Sequence, residues 1–145
     1  MYDRILVPTD GGEHATAAAR HALELAAVHG ARVDALYVVE TETSWLTVSK
    51  ADVKETLRDV GEAAGRDALA DLNALAADYD VPFTTALREG SVDEAVLAYA
   101  EDVGADCIVM GTHGRAGVSR RLLGSVAERV VRGSPVPVTT VHADD

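Results

Sequence analysis

Short apolar runs alternate with segments of helical periodicity along the whole chain. Arg4–Thr9 is an apolar run with β-branched residues, and it ends at Pro8-Thr9-Asp10-Gly11-Gly12. Glu13–His29 then places Ala15, Ala18, Ala19, Ala22, Leu25 and Ala26 at helical spacing, with Gly30 where a helix stops. Arg32–Val39 reads as a second strand, and residues 40–50 as a polar connection holding Trp45. The longest helix is expected over Ala51–Tyr79, with Ser49-x-x-Asp52 as its cap and Leu57, Val60, Ala64, Ala68, Leu72 and Leu75 as its buried stripe. Gly61 and Gly65 each weaken that helix by roughly 1 kcal/mol relative to Ala, which predicts close packing or a bend there. Val81–Arg88 is a third strand, and Ser91-Val92-Asp93-Glu94 is a capping box opening a helix to about Val103. Ala105–Met110, residues 124–132 and Val136–Val141 complete the alternation as strand, helix and strand.

Nearly all-apolar strands separated by helices predict an α/β fold, a parallel sheet covered on both faces with right-handed crossovers. Ligands of such open sheets bind at the carboxyl ends of the strands, where strand order reverses. The loops after the first and fourth strands both lie at that edge. With 145 residues, no repeat and no linker, one domain is expected over residues 1–145.

Charge changes the picture. The chain carries −11, with 24 acids against 13 bases, and only Lys50 and Lys54 are lysines. A carboxylate-rich surface stays soluble when salt screens ordinary repulsion, so the composition reads as halophilic, adapted to a high-salt cytoplasm; the plainer alternative is an acidic protein of ordinary salt. Neither suits nonspecific nucleic-acid binding, which needs a broad basic surface. No apolar run approaches the roughly 20 residues that span a bilayer, and no leader pattern opens the chain, so a cytoplasmic protein without membrane contact is expected. Cys107 is the lone cysteine, which rules out an intramolecular disulfide and reads as packing in a strand.

Against that acidic background, residues 111–133 hold Arg115, Arg120, Arg121, Arg129 and Arg132 with a single acid, Glu128. This basic segment contains Gly111-Thr112-His113-Gly114, nine further residues, then Gly124-Ser125. Glycines at a strand exit let backbone N–H groups approach a ligand, and a helix N-terminus adds donors and positive potential suited to phosphate. Ser125 adds a hydroxyl where the helix dipole focuses. Asp10 suits a sugar hydroxyl or a Mg²⁺ shared with phosphates. Plainer readings stand beside these: Ser125-Val126-Ala127-Glu128 is also a capping box, Asp10 is placed to cap the first helix, and His113 suits a solvated loop.

Val7-Pro8-Thr9-Asp10 together with Gly-x2-Gly-x9-Gly-Ser resembles the universal stress protein family in its ATP-binding branch, over the full length from Tyr2 to about His142. The resemblance implies an adenine nucleotide α-hydrolase-like, Rossmann-like fold, with five parallel strands in order 3-2-1-4-5 and helices on both faces. It implies ATP, with Mg²⁺, between the first and fourth strand ends. By matching position, Gly111, His113, Gly114, Gly124, Ser125 and Val126 surround ribose and phosphates, while Pro8, Thr9, Asp10 and Val38 frame the nucleoside. Met110 and Arg115 complete the candidate set; Arg115, Arg120 and Arg121 of the spacer suit phosphate or carboxylates across a dimer, and Arg115 is favoured to reach the polyphosphate. It also implies a homodimer, for which strand five, about residues 136–142, is the expected edge because Pro135 and Pro137 suit a strand start or sheet edge.

Other chemistry finds little support. Gly-x4-Gly-Lys-Ser/Thr is absent, and no residue is an obvious general base for water attack on phosphate. The expected role is a nucleotide-dependent stress regulator or chaperone-like factor, with a slow ATPase or nucleotidyl-transfer enzyme, or an interaction module with a vestigial site, as alternatives. His14, His21 and His29 recur along one helix, but no Cys or acidic cluster accompanies them, so surface histidines are expected rather than a metal set.

Overall fold

The computed structural model describes residues 1–41, 51–114 and 123–143. Among these described residues nine elements follow in order: β1 (Arg4–Pro8), α1 (Glu13–His29), β2 (Arg32–Glu40), α2 (Ala51–Ala76), β3 (Phe83–Gly90), α3 (Val92–Val103), β4 (Cys107–Gly111), α4 (Ser125–Gly133) and β5 (Val138–Val141). They build one parallel sheet in the order β3-β2-β1-β4-β5. The expected architecture and strand order are therefore observed.

Alternation along the strands sends side chains to two cores. Ile5, Val7, Val33, Ala35, Cys107 and Val109 pack with α1 and α2 on one face. Leu6, Leu36, Ile108 and Met110 pack with α3 and α4 on the other. Helix α1 buries Ala15, Ala18, Ala19, Ala22, Leu23 and Ala26; Leu25, expected in the stripe, is only partly buried. Alanines allow this helix to lie close to the sheet. Gly30 and Gly104 end α1 and α3 with φ of 70° each, a left-handed conformation in which a Cβ is strained.

The stripe of α2 differs from expectation. Val60 is 62% exposed and Ala64 is exposed, while Ala68, Leu69, Leu72 and Ala76 are buried. The two glycines explain the rotation. A Cβ on Gly61 would sit 2.7 Å from Val39 Cγ1, and one on Gly65 would sit 2.6 Å from Leu87 Cδ1 and 2.7 Å from the Tyr37 ring. The helix axis thus approaches β2 and β3 along its glycine edge, which turns Val60 outward. The close-packing expectation at Gly61 and Gly65 is met. The helix stops at Ala76, short of Tyr79, and β3 begins at Phe83. The expected cap Ser49 lies outside the described residues. Ser91 does occupy the N-cap of α3, but its hydroxyl donates to Asp93 Oδ1 at 3.1 Å instead of accepting a backbone N–H.

One polar residue of β2 is buried. Asp34 is 1% exposed and accepts from Arg4 Nε at 2.5 Å, from Arg4 Nη2 at 3.3 Å and from the Thr84 hydroxyl. Arg32 Nη2 stands 3.7 Å away. The hydrogen bond to Asp34 pushes the Arg4 guanidinium further above its already high range. This network ties β1, β2 and β3 together near their amino-terminal ends. Cys107 is fully buried, as expected, and burial pushes its thiol up, which keeps it protonated and inert.

The net charge of −11 places the excess carboxylates in mutual repulsion. Salt at about 1 M shortens the Debye length to about 3 Å and removes that repulsion. The melting temperature is expected to rise by about 10 °C or more from low salt to molar KCl, measured by calorimetry; a flat or falling curve would reject halophilic adaptation.

Candidate functional site

The carboxyl ends of β1 and β4 diverge around a cavity of ≈ 700 Å³. Its lining includes Pro8 at the end of β1 with Thr9 and Asp10 after it, Val38 on β2, Met110 and Gly111 at the end of β4 with His113 and Gly114 after it, and Gly124, Ser125 and Val126 at the start of α4. Residues far apart in the chain thus converge at the position where the strand order reverses. Arg115, Arg120 and Arg121 lie outside the described residues.

Each wall has a local cause. After β1, Thr9 N–H donates to Leu36 O at 2.8 Å, Thr9 Oγ1 accepts from Gly11 N at 3.1 Å, and Asp10 Oδ1 accepts from Gly12 N at 2.8 Å. These side-chain turns aim the chain into α1. The N-cap of α1 is Gly12, so Asp10 does not cap that helix; it holds the turn before it.

The glycines of the second motif act differently from one another. A Cβ on Gly111 would fall 2.8 Å from the backbone carbon of His14, so this glycine admits the first turn of α1 against the end of β4. Gly124 N–H donates to Thr112 O at 2.8 Å, and a Cβ there would fall 3.0 Å from the same oxygen and 3.2 Å from His113 Cα. This contact folds the motif back upon itself. At Gly114 a Cβ would come within 3.1 Å of Asp10 Oδ2, across the gap between the two loops.

The N-cap of α4 is Gly124, with no side-chain cap hydrogen bond, and Ser125 is the first helical residue. The capping-box reading of Ser125 is therefore replaced. The first-turn N–H groups of a helix lack intrahelical partners, and Ser125, Val126 and Ala127 all line the cavity. Leu36, Val38, Val92 and Val96 give the lining an apolar part. Sequence reasoning omitted Leu36, Tyr37, Glu40, Ala15, Val92, Val96, Leu123 and Ala127 from this lining. The position of β2 beside β1 was the available signal for the first three; nothing local marks the others.

A family model described as the universal stress protein family matches residues 1–142. The chain belongs to the universal stress protein family. A universal stress protein of Methanocaldococcus jannaschii is 36% identical over 141 residues, covering 97% of this chain and 82% of the relative. Among solved structures, universal stress protein UspA from Lactobacillus plantarum superposes with a TM-score of 0.85 at 30% identity, covering 97% of each chain. A universal stress protein solved in complex with cAMP superposes with a TM-score of 0.75 at 27% identity, covering 99% of each chain.

The helix histidines do not form a set with one another, as expected, but they are not all simple surface residues. His21 is exposed on α1, and His29 packs against Tyr2 with ring centroids 5.2 Å apart while its Nδ1 accepts Tyr2 N–H at 3.3 Å. His14 instead meets His113 and His142, with ring centroids 5.7 Å and 4.5 Å away. No helix among the described residues is long and apolar enough to cross a membrane.

Proposed function

We propose that this universal stress protein binds ATP in the cavity between the ends of β1 and β4 and acts as a dimeric, nucleotide-dependent stress regulator. The observation that carries the reading is the convergence of both motifs on one cavity that joins an apolar wall to an uncapped helix N-terminus. The adenine ring rests against Val38, Val92 and Val96. The phosphates lie over Gly114, Gly124 and the first N–H groups of α4, with the Ser125 hydroxyl as a further donor. Asp10, beside Gly114, takes a ribose hydroxyl or a Mg²⁺ shared with the phosphates, and Arg115 approaches the polyphosphate. The volume of ≈ 700 Å³ is in the range of small-ligand sites, and the family includes a member solved with cAMP. The role is occupancy-dependent: ATP favours one loop and dimer arrangement over another.

Mass spectrometry of ligand released from undialysed protein, followed by calorimetry with ATP, ADP, AMP and cAMP, tests this. Released adenine nucleotide and saturable binding are expected. A clean protein that gives no heat with any of the four would reject the reading.

The dimer forms through β5. Among the described residues this strand is at the sheet edge, pairing only with β4. Pro137 O and Val141 O accept from Ile108 N and Thr112 N, so by alternation residues 137, 139 and 141 face β4, while Val138 and Thr140 face the open edge. A twofold copy pairing antiparallel satisfies both edges at once. Thr140→Pro removes an outward N–H without touching the β4 ladder. It is expected to turn a dimer into a monomer of 15.2 kDa in sedimentation, with ATP binding retained. A wild-type chain that sediments as a monomer at micromolar concentration in molar salt would refute the dimer.

A further inference from the structure

Three imidazoles from three separate parts of the chain meet beside the cavity. His14 stands in the first turn of α1, His113 in the loop after β4, and His142 directly after β5. One ligand nitrogen from each lies within 4.8 Å of the other two. The reading of ATP binding gives His14 and His142 no role.

The hydrogen bonds around the rings favour a particular use. Thr112 Oγ1 is 3.0 Å from His113 Nδ1 and 3.0 Å from His142 Nδ1. A hydroxyl oxygen has two lone pairs, so it can accept an Nδ1–H from both rings at once, in the tautomer that metal binding would select. That tautomer leaves both Nε2 atoms with lone pairs. His113 Nε2 is buried and has no hydrogen-bond partner, a state that costs free energy unless something binds there. Ligand histidines that donate their second ring N–H to a fixed acceptor are the usual arrangement around a metal.

We propose that His14, His113 and His142 bind a borderline divalent transition metal, of which zinc is the reference case, with Thr112 orienting two of the rings. Three imidazoles suit zinc, cobalt, nickel or copper and not magnesium or calcium, which prefer oxygen. His14 Nδ1 now accepts Ala143 N–H at 2.9 Å, which places the proton of the neutral ring on Nε2. Ligation therefore requires that this bond open, releasing the Ala143 N–H to water. Nitrogens bound to one zinc at 2.0–2.1 Å stand roughly 3.3 Å apart, so the rings draw in by about 1.5 Å, and exposed His142 supplies most of that movement. Three protein ligands leave a fourth position for water or an anion. Because His113 also lines the cavity, the metal sits at its edge.

The test uses tag-free, nucleotide-stripped full-length protein titrated with Co²⁺, so it is independent of ATP binding. One equivalent is expected to bind with visible d–d absorption of a low-coordinate nitrogen site, and Zn²⁺ should displace it. His142→Ala and His14→Ala should each weaken Co²⁺ affinity by at least about tenfold, and Thr112→Val by about tenfold. His21→Ala, an exposed position on the same helix, should leave affinity unchanged. Circular dichroism establishes that each variant is folded; since His142 is exposed, its variant is the decisive one. Absence of the absorption band at one equivalent, or equal affinity in wild type and His142→Ala, would overturn the site.

Discussion

Gly114→Val is expected to lower ATP affinity by about ten- to a hundredfold while the protein stays folded. The position is exposed and its Cβ would point across the gap toward Asp10, within 3.1 Å of Oδ2. The nearest atom is a side-chain oxygen and not backbone, so a shift of a few tenths of an ångström at Asp10 accommodates the change and the fold tolerates it. The ligand does not, because a branched side chain then stands where backbone N–H groups would approach phosphate. Gly124→Val is a poorer probe. Its Cβ meets Thr112 O at 3.0 Å and His113 Cα at 3.2 Å, both backbone atoms, so that variant displaces the loop as well as the ligand. Calorimetry on folded Gly114→Val decides the matter: unchanged affinity removes phosphate from this loop.

Asp34→Ala is expected to cost about 3 kcal/mol of stability, the magnitude for breaking a buried charged pair by removing one partner, and about 10 °C in melting temperature. Asp34 is 1% exposed and binds Arg4 and Thr84, while Arg32 stands close. Removing it leaves the Arg4 side chain, 30% exposed, without its carboxylate in a partly dry setting. Asp34→Asn, which keeps an acceptor but loses the charge, should lose less. The network is near the amino-terminal ends of the strands, so ATP affinity should not change in either variant. Denaturant unfolding checks the prediction; a loss below about 1 kcal/mol would mean that water already shares the network.

The sequence alone determined the layered α/β architecture, because strand and helix periodicities are local properties. The apolar run Ile5-Leu6-Val7 has too few polar positions for a half-exposed strand, and the alanine spacing in Glu13–His29 suits only a helix lying close against a sheet. The paired motifs, through their resemblance to a known family, pointed to the sheet edge where the cavity is found. The long-range decisions belonged to the tertiary structure. The face of α2 was misjudged because Gly61 and Gly65, with no side chain to count as apolar, define its contact with β2 and β3, and Val60 turns outward as a result. Asp34 was absorbed into an apolar strand because its partner Arg4 is 30 positions away. Gly111, read as serving phosphate, also has to admit α1, a requirement visible only once His14 packs against it. The histidines are the clearest case. Spacing along one helix grouped His14 with His21 and His29, whereas the parallel crossovers bring it to His113 and His142, 99 and 128 positions further along. Periodicity reports which face of an element is buried, but only the folded sheet decides which distant side chains share a ligand.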